Sequence, residues 1–106
     1  GFSGTTFVAD ERIELGDRVQ IGSNVSVVDT DFHPLTPEGR ARDFNAGAAA
    51  PIVIEDKVFV GMDSLILKGV TVGEGSVVGA GSVVSQDVPP RSVVVGNPAE
   101  VVRELE

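Results

Sequence analysis

An aliphatic residue occupies every sixth position of this chain from Ile54 to Val84. A small or β-branched residue follows each of these positions after four more residues. A period of six fits neither an amphipathic helix, which repeats about every 3.6 residues, nor a half-buried strand, which repeats every 2. It predicts very short strands joined by tight turns into coils, and each coil needs a neighbouring coil to cover its apolar residues. The members of the series are Ile54, Val60, Ile66, Val72, Val78 and Val84.

Three such hexapeptides make one triangular coil of about 18 residues, so stacked residues should lie that far apart in the sequence. A weaker form of the same period continues upstream. We therefore predict an all-β protein, a parallel β-helix of about four coils in a single domain over residues 1–106, with residues 3–20 as the first coil. The predicted stacked pairs are Ile54 with Val72, Val60 with Val78, and Ile66 with Val84. The upstream members of the period are Ser3, Ala9, Leu15, Ile21 and Val27.

Both ends of the sequence carry expectations of their own. The chain begins within a repeat and without Met, so we expect further coils upstream of Gly1. At the other end, Asn97-Pro98 is predicted to turn the chain into a short C-terminal cap formed by residues 100–106.

The composition excludes several classes of function. With no Cys among 106 residues, the chain has neither disulfides nor thiolate metal sites. Its net charge of −8 opposes binding to nucleic acid or to anionic membranes. No apolar run approaches the length of a membrane span and no signal peptide is visible, so we expect no membrane insertion and a cytoplasmic location.

The period is interrupted once, directly after Val27. His33, the only histidine of the chain, occupies the next expected aliphatic position, and the pattern resumes in phase at Ala48. About fifteen residues are therefore predicted to form a protruding loop, approximately residues 29–47, between two strands of the second coil. Loops of this kind often carry functional residues. On the residues alone, His33 fits equally well an ordinary surface histidine.

Segments spread over nearly the whole chain resemble one enzyme family. They are Asp-Thr-Asp-Phe-His-Pro-Leu at 29–35, Pro-Ile-Val-Ile-Glu-Asp-Lys-Val-Phe-Val-Gly at 51–61, Ile-Leu-Lys-Gly-Val-Thr-Val-Gly at 66–73, Val-Val-Gly-Ala-Gly-Ser-Val-Val at 77–84 and Val-Val-Gly-Asn-Pro-Ala at 94–99. The chain resembles the hexapeptide-repeat O-acetyltransferases, especially those of the maltose, galactoside and polysaccharide type. This resemblance implies a left-handed β-helix, a homotrimer with active sites between subunits, and transfer of acetyl from acetyl-CoA to a saccharide hydroxyl without a metal.

The resemblance also assigns catalytic roles. His33 matches the general base, which removes the proton of the acceptor hydroxyl and then protonates the CoA thiolate; an imidazole suits both steps because it titrates near neutral pH. The backbone N–H of Met62 matches the oxyanion donor. We expect direct transfer, because the chain has no Cys and no Gly-x-Ser-x-Gly nucleophile motif. Asp29, Asp31 or a backbone carbonyl could orient the imidazole.

The acceptor is expected to contact Asp10 and Ser3, although Asp10 fits equally well as a turn residue. Phe32, Leu35 and Phe44 could form an apolar wall beside the acceptor, or could pack the loop onto the protein.

For CoA, the resemblance indicates Met62, Ala80, Ser85, Gln86 and Arg103. Two positions that are often basic in the family are Gln86 and Glu100 here, and an acid near a phosphate weakens binding. Either CoA binds more weakly, or backbone amides and other cations compensate. The candidate cations are Lys57, Lys68, Arg91 and Arg103.

Other classes of protein fit less well. A β-helical carbonic anhydrase needs three histidine ligands, and this chain has one. The β-helical domain of a sugar nucleotidyltransferase would need an upstream nucleotide-binding domain. The main alternative is a non-catalytic β-helix that acts as a scaffold or regulatory module; Gln86 and Glu100 favour it, and His33 opposes it.

Overall fold

The computed structural model describes residues 4–32, 35–43 and 47–106. These residues form twelve short strands and one short helix, α1, at Pro37–Arg42. The strands are β1 (Thr6–Val8), β2 (Ile13–Leu15), β3 (Gln20–Ile21), β4 (Ser26–Val28), β5 (Ile52–Ile54), β6 (Phe59–Val60), β7 (Leu65–Ile66), β8 (Thr71–Val72), β9 (Val77–Val78), β10 (Val83–Val84), β11 (Ser92–Gly96) and β12 (Ala99–Glu104).

Consecutive strands visit three sheets in a fixed order. Sheet A contains β1, β4, β7 and β10, sheet B contains β2, β5 and β8, and sheet C contains β3, β6, β9, β11 and β12. Each passage through the three sheets makes one coil, and in the fourth coil a single bridge from Val88 to Val72 continues sheet B. The prediction of an all-β parallel helix with about four coils is confirmed.

The register of the strands confirms the predicted stacking. Ile54 pairs with Val72, Val60 with Val78, and Ile66 with Val84. The three sheets form the sides of a prism, and all six side chains are buried in the core that runs along its axis. Burying each of these aliphatic side chains contributes about 1.5–3 kcal/mol, which explains why short strands of two or three residues are sufficient.

The loop is longer than the predicted fifteen residues. Ile13 pairs with Ile52, 39 positions later, which exceeds the regular spacing of 18 by 21. Ala48 does not resume the sheet: its carbonyl accepts the Asp31 N–H (2.9 Å), beside an antiparallel bridge between Thr30 and Ala49. These residues form a two-stranded stem at the base of the loop. The predicted and observed lengths of the loop differ by six residues, which is one repeat. Both lengths therefore keep the hexapeptide pattern in phase, and the pattern could not distinguish between them.

The first coil also departs from the predicted register. Phe7, rather than Ala9, occupies the position that stacks on Val27. The turn between β1 and β2 therefore contains two additional residues, since Phe7 and Leu15 are eight positions apart where Ile66 and Val72 are six. Ser3, where the first coil was predicted to begin, lies outside the described residues.

A left-handed backbone residue precedes most strands by two positions. Glycine adopts positive φ without steric cost, and Asn and Asp tolerate it better than most other residues. This conformation therefore accounts for several of the glycines and polar residues at the turns. The residues concerned are Gly4, Arg18, Asn24, Lys57, Asp63, Gly69, Gly75 and Gly81.

The C-terminal end is closed by an antiparallel strand. β12 pairs with β11 at the edge of sheet C, and Asn97-Pro98 forms the turn between them. This confirms a short cap, which begins at Ala99. Over the part of the chain that the structure describes, no helix is long and apolar enough to cross a membrane.

Candidate functional site

A cleft of about 200 Å³ lies where the turn after β1 meets the stem of the loop. Its lining includes Asp10, predicted to contact the acceptor, and Phe32, predicted to form an apolar wall. Phe32 is 56% exposed and directly precedes His33 in the sequence. The cleft thus combines one carboxylate, one aromatic ring and the base of the loop. His33, Pro34 and Phe44 lie outside the described residues.

Asp29 holds the turn that forms one side of this cleft. Its side chain is completely buried, at 0% exposure. One carboxylate oxygen, Oδ1, accepts the Asp10 N–H at 2.6 Å, and the other, Oδ2, accepts the N–H groups of Glu11 (2.8 Å) and Arg12 (2.7 Å). The lengthened turn of the first coil is therefore wrapped around a carboxylate of the second coil.

The environment of Asp29 also fixes its ionisation. Burial alone would raise the pKa of its carboxyl group. Hydrogen bonds from the backbone N–H groups of Asp10, Glu11 and Arg12 together lower the pKa by more than burial raises it, so the pKa lies below its ordinary value. Asp29 is consequently an ionised, hydrogen-bonded group at neutral pH. Sequence reasoning considered Asp29 only as a partner for His33 and missed its bonds to the turn.

Asp31, the other candidate partner for His33, lies near a cation. Its Oδ2 atom is 3.6 Å from Nζ of Lys68. Lys68 was one of the cations proposed to compensate the CoA phosphates, and the structure places it at the stem of the loop instead. The group that orients His33 stays a prediction.

Phe32 has an unusual backbone conformation. Its φ angle is 68°, in the left-handed region that is disfavoured for a bulky residue. The Phe32 N–H donates to Oγ1 of Thr30 at 3.0 Å, which closes a local turn. Strained backbone of this kind is concentrated at functional sites. Here it sets the direction of the chain immediately before His33.

The loop carries the short helix α1, which sequence reasoning did not predict. Thr36 caps it, with Oγ1 accepting the Gly39 N–H at 3.1 Å, and Pro37 opens its first turn. Thr-Pro-Glu at 36–38 is a typical helix start, with a capping hydroxyl, a proline and an acid in order. This signal could have revealed the helix.

A second candidate region lies at the other end of the sheet A strands, in the turns before β7 and β10. Met62 is 53% exposed there, and its carbonyl accepts the Gly81 N–H at 2.8 Å. A Cβ atom on Gly61 would lie 2.6 Å from the backbone nitrogen of Ala80, so only glycine allows the turns to stack this closely. The structure therefore brings together Met62 and Ala80, two of the residues that the resemblance assigned to CoA; their role in binding it stays a prediction.

The backbone N–H of Met62 differs in its hydrogen bonding from the equivalent N–H groups in the turns between sheets B and C. Asp17 and Glu74 also follow a turn glycine, and carboxylates accept their N–H groups: Oδ1 of Asp56 at 2.7 Å and Oε1 of Glu55 at 3.0 Å. Within the described residues nothing accepts the Met62 N–H. An amide left open at an exposed turn is available to a substrate oxyanion.

The remaining residues predicted to bind CoA are more dispersed. Ser85 and Gln86 are exposed at the far end of β10, and Arg103 is exposed on β12, where it pairs with Val93. Glu100 is also exposed on β12. Ser85 and Gln86 follow β10 and Arg103 lies opposite the start of β11, so one chain does not bring these three residues together with Ala80. Glu100 is nearer, because it pairs with Val95, whose side chain lies against Gly79. Among the candidate cations, Arg91 donates to the backbone oxygen of Glu106.

The two candidate regions lie at opposite ends of sheet A. The cleft at Asp10 and Phe32 follows β1 and β4, whereas the turns of Met62 and Ala80 precede β7 and β10. Because all these strands run parallel, the two regions are separated by the width of one face of the prism. A single chain therefore presents two half-sites.

The comparisons with known proteins address both the fold and the family. A model of the hexapeptide repeat of succinyl-transferases matches residues 51–86. A hexapeptide-repeat-containing acetyltransferase from Vibrio cholerae, solved with acetyl coenzyme A, is 32% identical, with a TM-score of 0.84, and the match covers 100% of this chain and 67% of that one. The chain belongs to the hexapeptide-repeat acetyltransferase family. The fold is accordingly the left-handed form of the parallel β-helix.

Two further members of this family are also similar. The galactoside O-acetyltransferase of Escherichia coli is 39% identical over 103 residues, which cover 94% of this chain and 48% of the relative. The structure of a galactoside acetyltransferase in complex with coenzyme A is 39% identical, with a TM-score of 0.90, covering 96% of this chain and 50% of that one. The chain thus spans about half the length of the curated relatives it matches. Among the described residues, no group of side chains could hold a metal ion.

Proposed function

We propose that the protein is an acetyl-CoA-dependent O-acetyltransferase that acetylates a hydroxyl group of a sugar or saccharide and works as a homotrimer. The observation that carries this proposal is the pair of half-sites on a chain so similar to a galactoside acetyltransferase that binds coenzyme A. One half-site offers a carboxylate and an aromatic ring, which suit a sugar. The other offers an open backbone amide beside a narrow turn, which suits a thioester.

The proposed chemistry is direct transfer between two bound substrates. His33 removes the proton of the acceptor hydroxyl while the hydroxyl oxygen attacks the thioester carbonyl carbon. The negative charge that develops on the carbonyl oxygen is stabilised by the Met62 N–H. The carbon–sulfur bond then breaks, and His33 gives its proton to the departing thiolate, which leaves as coenzyme A.

The acceptor half-site is supported by the contents of the cleft. Asp10 is exposed at its edge, and carboxylates accept hydrogen bonds from sugar hydroxyls. Phe32 provides an exposed apolar face against which the carbon-bound hydrogens of a sugar ring can pack. Ser3, the other predicted contact, lies outside the described residues and stays a prediction.

A trimer would complete the active site. Each chain carries both half-sites, but they lie at opposite ends of sheet A. Each active site would therefore combine the acceptor half-site of one subunit with the CoA half-site of a neighbouring subunit. The outer row of sheet C also presents Phe59, which is 43% exposed on this chain. Its ring lies between Gln20 and Val77 of the adjacent coils, and we propose that the exposed part of the ring packs against a neighbouring subunit.

The CoA phosphates have few cations available on this chain. Lys68 faces Asp31, and Arg91 reaches the end of the chain. We propose that Arg103 and Lys57 contribute charge and that backbone amides at the turns, including that of Ala80, hold the pantetheine. The exposed Glu100 would then reduce affinity for CoA.

The experiment that tests this proposal is release of coenzyme A from acetyl-CoA, measured with a thiol reagent, in the presence of methyl β-galactoside, maltose and related sugars. Release that depends on one sugar, with a matching acetyl ester found by mass spectrometry, supports the proposal. Coenzyme A binding without transfer to any sugar would contradict the proposed acceptor, and no coenzyme A binding would favour a scaffold.

A further inference from the structure

Asp29 differs from the other buried polar residues that the structure describes. Those are serines, at positions 64, 76, 82 and 92, whereas Asp29 is a completely buried carboxylate. It lies between the two parts of the acceptor cleft, because its side chain bonds to the turn of Asp10 and its main chain continues into Thr30.

The main chain of Asp29 adds two more connections. Its N–H donates to the carbonyl of Val8 at 3.1 Å, at the end of β1, and its carbonyl accepts the Ala50 N–H at 3.0 Å, in the stem of the loop. One residue therefore fastens the end of β1, the lengthened turn and the base of the loop to each other.

Other corners show a weaker version of the same arrangement. Asp56 accepts the N–H of Asp17 in the preceding coil (2.7 Å), and Asp87 accepts that of Thr71 (2.8 Å). Each of these carboxylates is exposed and holds one amide. Asp29 is buried and holds three, in a turn with two additional residues. Its greater number of bonds coincides with the one turn that carries a candidate acceptor residue.

We infer that Asp29 is a positioning residue that fixes Asp10 relative to the stem of the loop that carries His33, and thereby sets the affinity for the acceptor. This inference rests on the proposed function. Hydrogen bonds to an ionised carboxylate are stronger than neutral ones and hold their donors in a defined geometry. Loss of the carboxylate would leave the turn free to shift, and a displaced Asp10 would bind the acceptor more weakly.

The test compares Asp29→Asn with Asp56→Asn, which removes an exposed carboxylate with one backbone bond far from the cleft. An Asn side chain can accept at its oxygen but not at its nitrogen, so Asp29→Asn loses part of the set of bonds. We expect its KM for methyl β-galactoside or maltose to rise roughly 10-fold or more, with the KM for acetyl-CoA changed less than about 2-fold. Asp56→Asn should change neither. Unchanged constants in Asp29→Asn, or equal changes for both substrates, would overturn the inference.

Hydrogen exchange gives a second measurement that needs no activity. The amides of Asp10, Glu11 and Arg12 should exchange at least about 10-fold faster in Asp29→Asn, while the Asp17 amide stays unchanged. If the parent acetylates no sugar, the proposed function fails by itself, and this exchange result decides whether Asp29 holds the turn. If Asp29→Asn does not fold, hydrogen exchange of the parent protein is measured with and without sugar. Slower exchange of these three amides in the presence of sugar supports the inference, and unchanged exchange overturns it.

Discussion

The Asp29 carboxylate accepts the backbone N–H of Asp10 at 2.6 Å, across one coil of the β-helix. Nineteen positions separate the two residues, and the turn that contains Asp10 is two residues longer than its counterparts. It joins the turn that presents a candidate acceptor residue to the strand that leads into the loop of His33. Several consequences of this arrangement can be measured.

Acid should destabilise the protein partly through Asp29. Its pKa is lowered in the folded state, so its contribution to stability is present above the ordinary carboxyl pKa and is lost as the pH falls through the lowered value. Asp29→Asn should therefore have a lower Tm at pH 7 and lose less on acidification than the parent. Thermal unfolding between pH 7 and about pH 2.5 checks this. Glu38→Gln, an exposed control on α1, should follow the parent, and parallel curves for Asp29→Asn and the parent would contradict the assignment.

Replacing His33 should abolish most transfer without unfolding the chain. His33→Ala removes the proposed general base, which is typically worth about 100- to 10,000-fold in rate. The described part of the loop beyond its stem, residues 35–43, has no buried side chain, so we expect Tm to change little. Steady-state coenzyme A release and thermal unfolding are measured together, with Glu38→Gln as the control within the same loop. Activity of His33→Ala within a few-fold of the parent would show that His33 is not the base.

The turn at Met62 should depend on its backbone rather than on its side chain. Met62→Ala keeps the N–H and should retain coenzyme A release within about 5-fold. Gly61→Ala would place a Cβ atom 2.6 Å from the Ala80 nitrogen, and overpacking of this kind costs about 1–3 kcal/mol. It should lower both Tm and transfer. A Met62→Ala variant as inactive as His33→Ala would indicate that the side chain, and not the amide, is required.

The charge at Glu100 should affect coenzyme A alone. Glu100→Arg replaces repulsion of a phosphate with attraction, worth on the order of 1 kcal/mol at an exposed position, and the gain should increase at low salt. Glu104→Arg makes the same change of charge further along β12 and serves as the control. Calorimetric titration of coenzyme A at two salt concentrations separates the outcomes. Equal gains for both variants would mean that only net charge matters, and no gain would place Glu100 away from the phosphates.

The regular part of the fold could be predicted from the sequence because every coil repeats the same constraint. The pairs Ile54–Val72 and Val60–Val78 follow directly from a period of six and a triangular coil. The length of the loop could not be predicted this way. A hexapeptide pattern fixes positions only to within a multiple of six, and Ala48 has the correct phase while belonging to the stem.

The site was predictable in outline only. The segment around His33 and the turn of Met62 stand out through their resemblance to a family. The role of Asp29 does not, because its partners are backbone amides 17–19 positions earlier, which leave no mark on side-chain identity. The resemblance grouped Ala80, Ser85 and Arg103 together, yet on one chain they occupy different parts of the prism. Their convergence would require more than one subunit.

The measurement that tests the account most directly is complementation between two inactive variants. His33→Ala disables the acceptor half-site, and Ala80→Trp blocks the exposed turn of the other half-site without touching the core. If each active site combines half-sites from two subunits, unfolding and refolding an equal mixture should restore roughly a quarter of the parent rate of sugar-dependent coenzyme A release, because random assembly pairs two intact half-sites that often. Activity no greater than that of the two variants refolded separately, under conditions in which the parent regains its own, would contradict a site shared between subunits.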